Sequence, residues 1–416
     1  MKIKFNNEVF KNKLLYVLMI FLVSSNLIIS CSPSSSENPK NPNGGENRGD
    51  NIPPSEVKVQ TIGLNFNEQL QYVNLPQISA TNTKYVRGFL DFFQFYYDKS
   101  LLSSDERITK FLSLKPSGYN TILSLKFLFK GKSFPLPNSQ ELNNYLEYLE
   151  MILDKIWTGA DIIIVGNEPF IETDSADYGD NMYNFYVKAT ERVKAYSDTH
   201  TEKPIFFGAF DNMYQTNRQT LPVLNGLLDY CKNTPWILGV DMHIHHKEYA
   251  EMVRALDFVN AKIRSDQKII VSEYSLMKWW RDNLSGIIPA DFAAQYNYST
   301  TWRNYQYIDA ALKSPKPRAE WVDFLSKSDW FESRRHYLLE TYKDIFTKYD
   351  KFFVATYAFR QSYPFNTDFK SNTDPWILNG LYANRSVETE PNTGQFQFNY
   401  TFIDDFKIVQ DISNKN

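Results

Sequence analysis

The sequence predicts an α/β protein built as a closed (β/α)8 (TIM) barrel, with a long aromatic-rich insertion between strands seven and eight. Three observations carry that expectation. Short apolar runs alternate with amphipathic stretches about eight times after residue 57, the pattern of a parallel sheet with helical crossovers. The first candidate turn, LNFNEQLQY, lacks the glycine fingerprint of an open doubly wound nucleotide binder, and no phosphate-binding loop occurs in the chain. The length remaining after residue 57 suits one barrel with insertions.

Strands are expected at Val59–Leu64, Tyr85–Leu90, Thr121–Phe127, Asp161–Val165, Pro204–Ala209, Trp236–His243, Lys268–Glu273 and Phe352–Tyr357. They are short runs rich in β-branched and aromatic residues, as strands buried on both faces require. The clearest helical pattern is LNNYLEYLEMILDKIW, residues 142–157. Its Leu142, Tyr145, Leu146, Leu149, Ile152, Leu153 and Ile156 fall on one face. Asn138 is expected to cap its start, with Glu141 three residues on. Residues 182–196 and 248–263 carry similar patterns. The insertion, residues 277–350, holds MKWWRDN, YSTTWRNY, AEWVDF and SDWFESRRHY.

Aromatic residues make up 16% of the chain, which favours large cores and flat stacking surfaces. A net charge of −3 gives no basic footprint for nucleic acid. The first thirty residues read as a leader: Lys2, Lys4, Lys11 and Lys13 precede a mostly apolar run from Leu14 to Ile29. That run ends in Ile28-Ile29-Ser30-Cys31, which resembles the lipobox of bacterial lipoproteins, where the cysteine is lipidated. Residues 31–56, rich in Ser, Pro, Asn and Gly, cannot bury a core and read as a disordered tether spanning roughly 25–30 Å. The expected localisation is extracytoplasmic, lipid-anchored to a bacterial membrane. The one other cysteine, Cys231, reads as a small buried apolar residue. Residues 57–416 are then expected to form the barrel domain, which is the candidate catalytic domain.

In such a barrel reacting groups sit at the C-terminal ends of the strands. Strand two carries Arg87. Strand four, in IIIVGNEPF, runs into Asn167 and Glu168 and is stopped by a proline. Strand six carries Asp241, His243 and His245 on one face. Strand seven, KIIVSEYS, ends on Glu273, and strand eight ends in Tyr357, Phe359 and Arg360. Strands four and seven lie nearly opposite across a barrel mouth. Two carboxyls facing each other there can divide the acid and nucleophile roles, and a separation of about 5–5.5 Å suits retaining glycoside hydrolysis.

With Asn-Glu-Pro after strand four, a glutamate ending strand seven and an arginine on strand two, the chain resembles the clan A glycoside hydrolases. The resemblance covers roughly residues 85–385. It implies cleavage of β-linked poly- or oligosaccharides with retention, Glu168 as acid/base and Glu273 as nucleophile. It also implies Asn167 on the sugar 2-hydroxyl, Arg87 supporting the nucleophile, and no metal or organic cofactor. Two departures stand out. The His-x-Tyr common after strand six in that clan reads His243-Ile244-His245, and FFVATYAFRQSY lacks the tryptophan that often ends strand eight. His243, His245 and Tyr357 are expected at the substrate. Trp279 and Trp280, nearest in sequence to Glu273, are expected to stack on sugar rings. Within DPWILNGLYAN, which resembles the clan's stretch after strand eight, Asp374, Trp376 and Asn379 are weaker candidates.

Two other function classes compete. A His-x-His strand also resembles metal-dependent amidohydrolases, but there the pair belongs to strand one. Here it lies on strand six, and the only histidine beyond that segment (DMHIHHKEY) is His336, so no metal site is expected. The altered strand-six motif and the missing tryptophan motivate a catalytically idle glycan-binding lipoprotein on the same barrel. The expected partners are a carbohydrate and, through the anchor, a lipid membrane.

Overall fold

The computed structural model describes residues 60–361 and 368–415. The expected leader (1–30), Cys31 and the tether (31–56) lie outside the described residues. Eight parallel strands close into a barrel in chain order. They are β1 (Thr61–Asn65), β2 (Tyr85–Asp91), β3 (Asn120–Lys126), β4 (Ile162–Val165), β5 (Ile205–Asp211), β6 (Ile237–His245), β7 (Lys268–Ser275) and β8 (Phe352–Ala358). β8 closes on β1 through a register running from Thr61 opposite Val354 to Asn65 opposite Ala358. The (β/α)8 expectation holds. β5, β6 and β7 run on past the apolar stretches that marked them, ending in Asp211, His245 and Ser275. Those polar ends stay in the ladder because the barrel mouth supplies them with partners, which hydrophobicity along the chain does not report.

The barrel interior changes character one layer up. Tyr85, Ile122, Ile162, Ile164, Phe206, Ile270, Phe353 and Val354 form a closed apolar plug. Two residues further along the same strands the inward positions become Arg87, Ser124, Ser272 and Thr356, all buried. Period-two alternation puts each pair on one face, so a strand such as TILS carries its plug residue and its polar-layer residue together. The plug seals the lower barrel and the polar layer floors the site above it.

The helix Gln140–Ile156 buries the face read from the sequence. Its cap is Ser139, whose Oγ accepts from Leu142 N at 3.1 Å, and not Asn138. The turn into this helix needs one residue in the left-handed region, and Asn138 takes that place with φ 59° because its short polar side chain tolerates it. The other two patterns form the helices Asp180–Thr199 and Tyr249–Lys262. The insertion folds into short helices with aromatic side chains packed between them. Trp280 stacks on Phe331 and Tyr307 packs on Phe324 with centroids 4.3 Å apart. The helix Phe402–Ser413 covers the bottom of β1, where Gln410 Nε2 donates to Ile62 O at 2.6 Å. Among the described residues no helix is long and apolar enough to cross a membrane.

Phe206 is fully buried in the plug. Phe206→Ala should therefore cost about 3–5 kcal/mol of stability in urea unfolding. A loss under 1 kcal/mol would mean the plug is not tightly packed.

Candidate active site

Arg87 organises the mouth. It is fully buried, and its guanidinium spends its donors on four residues from four elements. Nε and NH2 reach Ser124 Oγ at 3.1 and 3.0 Å, and NH1 reaches Asn65 Oδ1 at 3.2 Å. NH2 donates to Asn167 Oδ1 at 2.7 Å, and NH1 to Glu273 Oε1 at 2.6 Å. The fork thus fixes Asn167 at the end of β4 relative to Glu273 on β7, with charge-assisted geometry on the carboxylate.

Two irregularities aim the carboxylates. On β6 and β7, Met242 pairs with Val271 and His243 with Glu273, so Ser272 is an extra residue. A bulge of this kind re-aims the next side chain, here Glu273. Asp241 fills the bulge by accepting from Ser272 N at 3.0 Å and Ser272 Oγ at 2.6 Å. After β4, Gly166 and Glu168 both take positive φ, 115° and 44°. A β-carbon on Gly166 would stand 2.7 Å from Gly208 O, so the β4 and β5 backbones approach as only glycine permits. Glu168 is held in this disfavoured region by Glu168 N donating to Ala209 O at 3.0 Å. Backbone strain at a carboxylate in a cleft is a functional pointer.

The strand-six histidines lie between the two glutamates. His243 Nδ1 is 3.1 Å from Glu168 Oε1, and its Nε2 is 3.7 Å from Glu273 Oε1. Ser272 gives its hydroxyl proton to Asp241, so at 3.0 Å it accepts from His243 Nε2. His245 Nε2 is 3.9 Å from Glu168 and 3.7 Å from Glu273, while its Nδ1 meets Ser275 Oγ at 2.9 Å. Burial opposes a charge on His243, but Glu273 and Glu168 outweigh it and raise its pKa above 6.5. Burial likewise opposes charge on Glu273. His243, His245 and Arg87 overcome it and hold that carboxyl well below the usual range. His246 is different: buried against Tyr337 OH and Glu248 O, it is pushed down to about 3 by burial and serves the packing.

One donor atom each from Glu168, His243, His245 and Glu273 all lie within 4.8 Å of one another. The two glutamate oxygens are therefore that close. The nitrogen and oxygen donors also suit a divalent transition ion, a set that His-x-His alone did not suggest. Arg87, 2.6 Å from Glu273, already places one fixed cation beside it.

No protein-family model matches the chain, and no curated protein matches its sequence. Solved structures do match in fold. A psychrophilic glycoside hydrolase family 10 endo-β-1,4-xylanase is 11% identical with a TM-score of 0.43, covering 72% of this chain and 88% of its own. A family 39 glycoside hydrolase from the gut symbiont Bacteroides cellulosilyticus is 11% identical with a TM-score of 0.46, covering 86% and 64%. A Bacteroides uniformis β-glucuronidase is 10% identical with a TM-score of 0.43. It covers 86% of this chain, which spans only 35% of the glucuronidase. Activity is therefore read from the side chains.

Not every expected residue reaches the mouth. Asn167, Glu168, His245 and Glu273 line a cavity of about 810 Å³, with Arg87 and His243 beneath. Trp280 is fully buried in the insertion core. Trp279 donates from Nε1 to Trp330 O at 2.7 Å and lies under Arg334, away from the cavity. Tyr357 points outward, packing on Tyr274 and Phe402. At this level of β8 it is Thr356, two residues beyond the plug residue Val354, that faces in, so its neighbour Tyr357 turns to the helical layer. The aromatic residues lining the cavity are Phe89 and Trp376, and the Trp376 ring meets His245 edge-on at 4.8 Å. Asp374 instead pairs with Arg281 at 2.7 Å.

The sequence reading missed Glu172 and Lys126. Asn167 Nδ2 donates to Glu172 Oε1 at 2.9 Å, and Lys126 Nζ stands 3.2 Å from that oxygen. Glu172 thereby locks the amide that Arg87 holds from the other side. Its spacing from Glu168 is one helical turn, but no apolar period marks that loop. Burial, opposed by Lys126, pushes Glu172 up to about 8. The folded state then binds a proton that the unfolded chain releases near 4.5, so this residue costs stability as pH rises from about 4.5 to about 8. Glu172→Gln should flatten that fall by roughly 1–3 kcal/mol, read from urea midpoints at pH 5 and pH 8. Parallel curves for the two proteins would refute the assignment.

Proposed function

We propose that this chain is a retaining glycoside hydrolase acting on a β-linked poly- or oligosaccharide. The observation that carries the reading is the facing pair Glu168 and Glu273, with one oxygen of each within 4.8 Å of the other and only Glu273 held by a buried arginine. That spacing favours the retaining geometry over the wider inverting one. Glu273, kept ionised by Arg87 and the histidines, is the nucleophile. Glu168, free of any arginine, is the acid/base.

In the first step a Glu273 oxygen bonds to the anomeric carbon. The glycosidic bond breaks and Glu168 gives its proton to the leaving oxygen. In the second step Glu168 takes a proton from water, whose oxygen bonds to the anomeric carbon and displaces Glu273. Asn167, clamped by Arg87 and Glu172, would hold the sugar 2-hydroxyl, a contact that strengthens as positive charge develops on the ring. Trp376 offers the flat face for a sugar. Every reacting group belongs to the protein, so no cofactor enters the steps.

The four-donor cluster favours one second reading, a metal-dependent hydrolase on the same barrel. The two separate cleanly in a reducing-end assay of the full chain on β-linked glycans. Glu273→Gln should abolish turnover, Glu168→Gln should lower it ~10²–10⁴-fold, and EDTA should change nothing. Loss of activity with EDTA would favour the metal reading. Glycan binding with no turnover, unaltered by Glu273→Gln, would indicate an idle binding barrel. Hydrolysis surviving both substitutions would end the glycosidase reading.

The leader, Cys31 and the tether support a lipid anchor that presents the barrel outside the cytoplasm. Cys31→Ser should move the protein from the membrane fraction to the soluble one. An unchanged distribution would rule out lipidation at Cys31.

A further inference from the structure

The cations around the cavity are not equivalent. Arg87 is paired with Glu273 at 2.6 Å, Arg107 with Asp105 at 2.5 Å, and Lys126 stands between two acids, Glu172 at 3.2 Å and Glu68 at 3.8 Å. Arg360, just past β8, also lines the cavity and is only 6% exposed. No Asp or Glu oxygen stands within 4.0 Å of it among the described residues. Its neighbours 362–367, SYPFNT, hold no acid.

What surrounds Arg360 is aromatic. Its Cζ lies 3.9 Å from the Tyr72 ring centroid and 3.8 Å from that of Phe396. Two rings at that distance pack on the guanidinium, and the Tyr72 side chain also hydrogen-bonds to it, which takes up part of its donor capacity. The charge stays on, because a guanidinium is not deprotonated in proteins. Burial nonetheless moves its pKa down, the direction of a cation whose charge is poorly compensated. A buried cation without a counter-charge is costly, and cation–π contacts offset only part of that.

The acids of the same wall do not fill the role. Asp105 and Glu68 share Arg107, Glu172 has Lys126, and Asp91 accepts from Phe93 N at 3.0 Å. A planar guanidinium flanked by two rings and lining a glycan-sized cavity matches two oxygens of one anionic group.

From this we infer that Arg360 is an anion-binding subsite, and that the substrate is an acidic glycan whose carboxylate or sulfate ester docks on its guanidinium. The inference rests on the glycosidase reading for its substrate, but the anion site itself does not. Uronic acids and sulfated sugars share the required chemistry, and the assay separates them.

The test uses the full chain and three probes of matched length: a neutral β-linked oligosaccharide, its uronate-containing analogue and its sulfated analogue. Binding is measured on Glu273→Gln, with and without Arg360→Gln, and turnover on the wild type, Arg360→Gln and Arg360→Lys. Free glucuronate and inorganic sulfate are added as minimal probes by thermal shift. One acidic probe should be preferred by the wild type, and which one names the anion. Arg360→Gln should weaken it roughly 10–100-fold while leaving the neutral glycan within about threefold. Arg360→Lys, keeping charge without the fork, should fall between. A wild type indifferent to charge, or an Arg360→Gln defect equal for all three glycans, overturns the inference. If neutral glycans are cleaved and Glu273→Gln is dead, the glycosidase reading survives that failure. If acidic probes bind through Arg360 with no turnover, the anion site stands and the hydrolase does not.

Discussion

A guanidinium with no access to water sits at the centre of this barrel, and the mouth is built around its needs. Taking Arg87 out of water is expensive unless charge and hydrogen bonds replace the solvent. Ser124, Asn65, Asn167 and Glu273 are those replacements, and each comes from a different strand or strand end. The constraint runs both ways. Glu273 can remain ionised under burial because a fixed positive charge lies beside it, and Asn167 has one orientation because its oxygen is claimed by Arg87 and its nitrogen by Glu172. Removing one partner of such a set leaves an uncompensated buried group, worth about 3–5 kcal/mol in comparable cases.

Below this layer the barrel is ordinary: an apolar plug with β-branched and aromatic side chains. Above it regularity is given up. β7 carries an extra residue, β5 two adjacent positive-φ positions at Gly208 and Ala209, and β4 ends through Gly166 and Glu168 in the same region. The departures from strand geometry cluster at the ends facing the cavity. A rigid plug can support strained ends because its own packing does not depend on them, and the strained ends hold carboxylates where extended strands would point them elsewhere.

Aromatic side chains divide into two populations. Those of the insertion, including Trp280 and Trp321, are consumed in packing its short helices together and onto the C-terminal segment, where Phe331 meets Tyr400 and Phe402. The ones that line the cavity are Phe89 on β2 and Trp376 after β8, which borders His245, while Phe396 covers Arg360. Nearness in sequence to Glu273 was therefore a poor guide to nearness in space. The strand that precedes the insertion points up at the mouth, but the chain leaves it at once to build a separate layer.

The strand–helix alternation was enough for the barrel, because period-two and period-3.6 burial are local properties that each segment carries by itself. The same holds for the position of Glu168, Glu273 and Asn167: a polar residue at the end of an apolar run has few places in a barrel other than its mouth, whereas Arg87, inside β2, reaches the mouth through its long side chain. What only the tertiary structure decided was which side chains meet. Glu172 and Lys126 clamp Asn167 through contacts between separate loops. Tyr357 faces outward because strand parity, not identity, sets its side. Ser139 displaced Asn138 as a cap because the turn needed the one left-handed residue. Pairing across distant elements depends on register, bulges and barrel closure, and none of these is written in any single stretch of the chain.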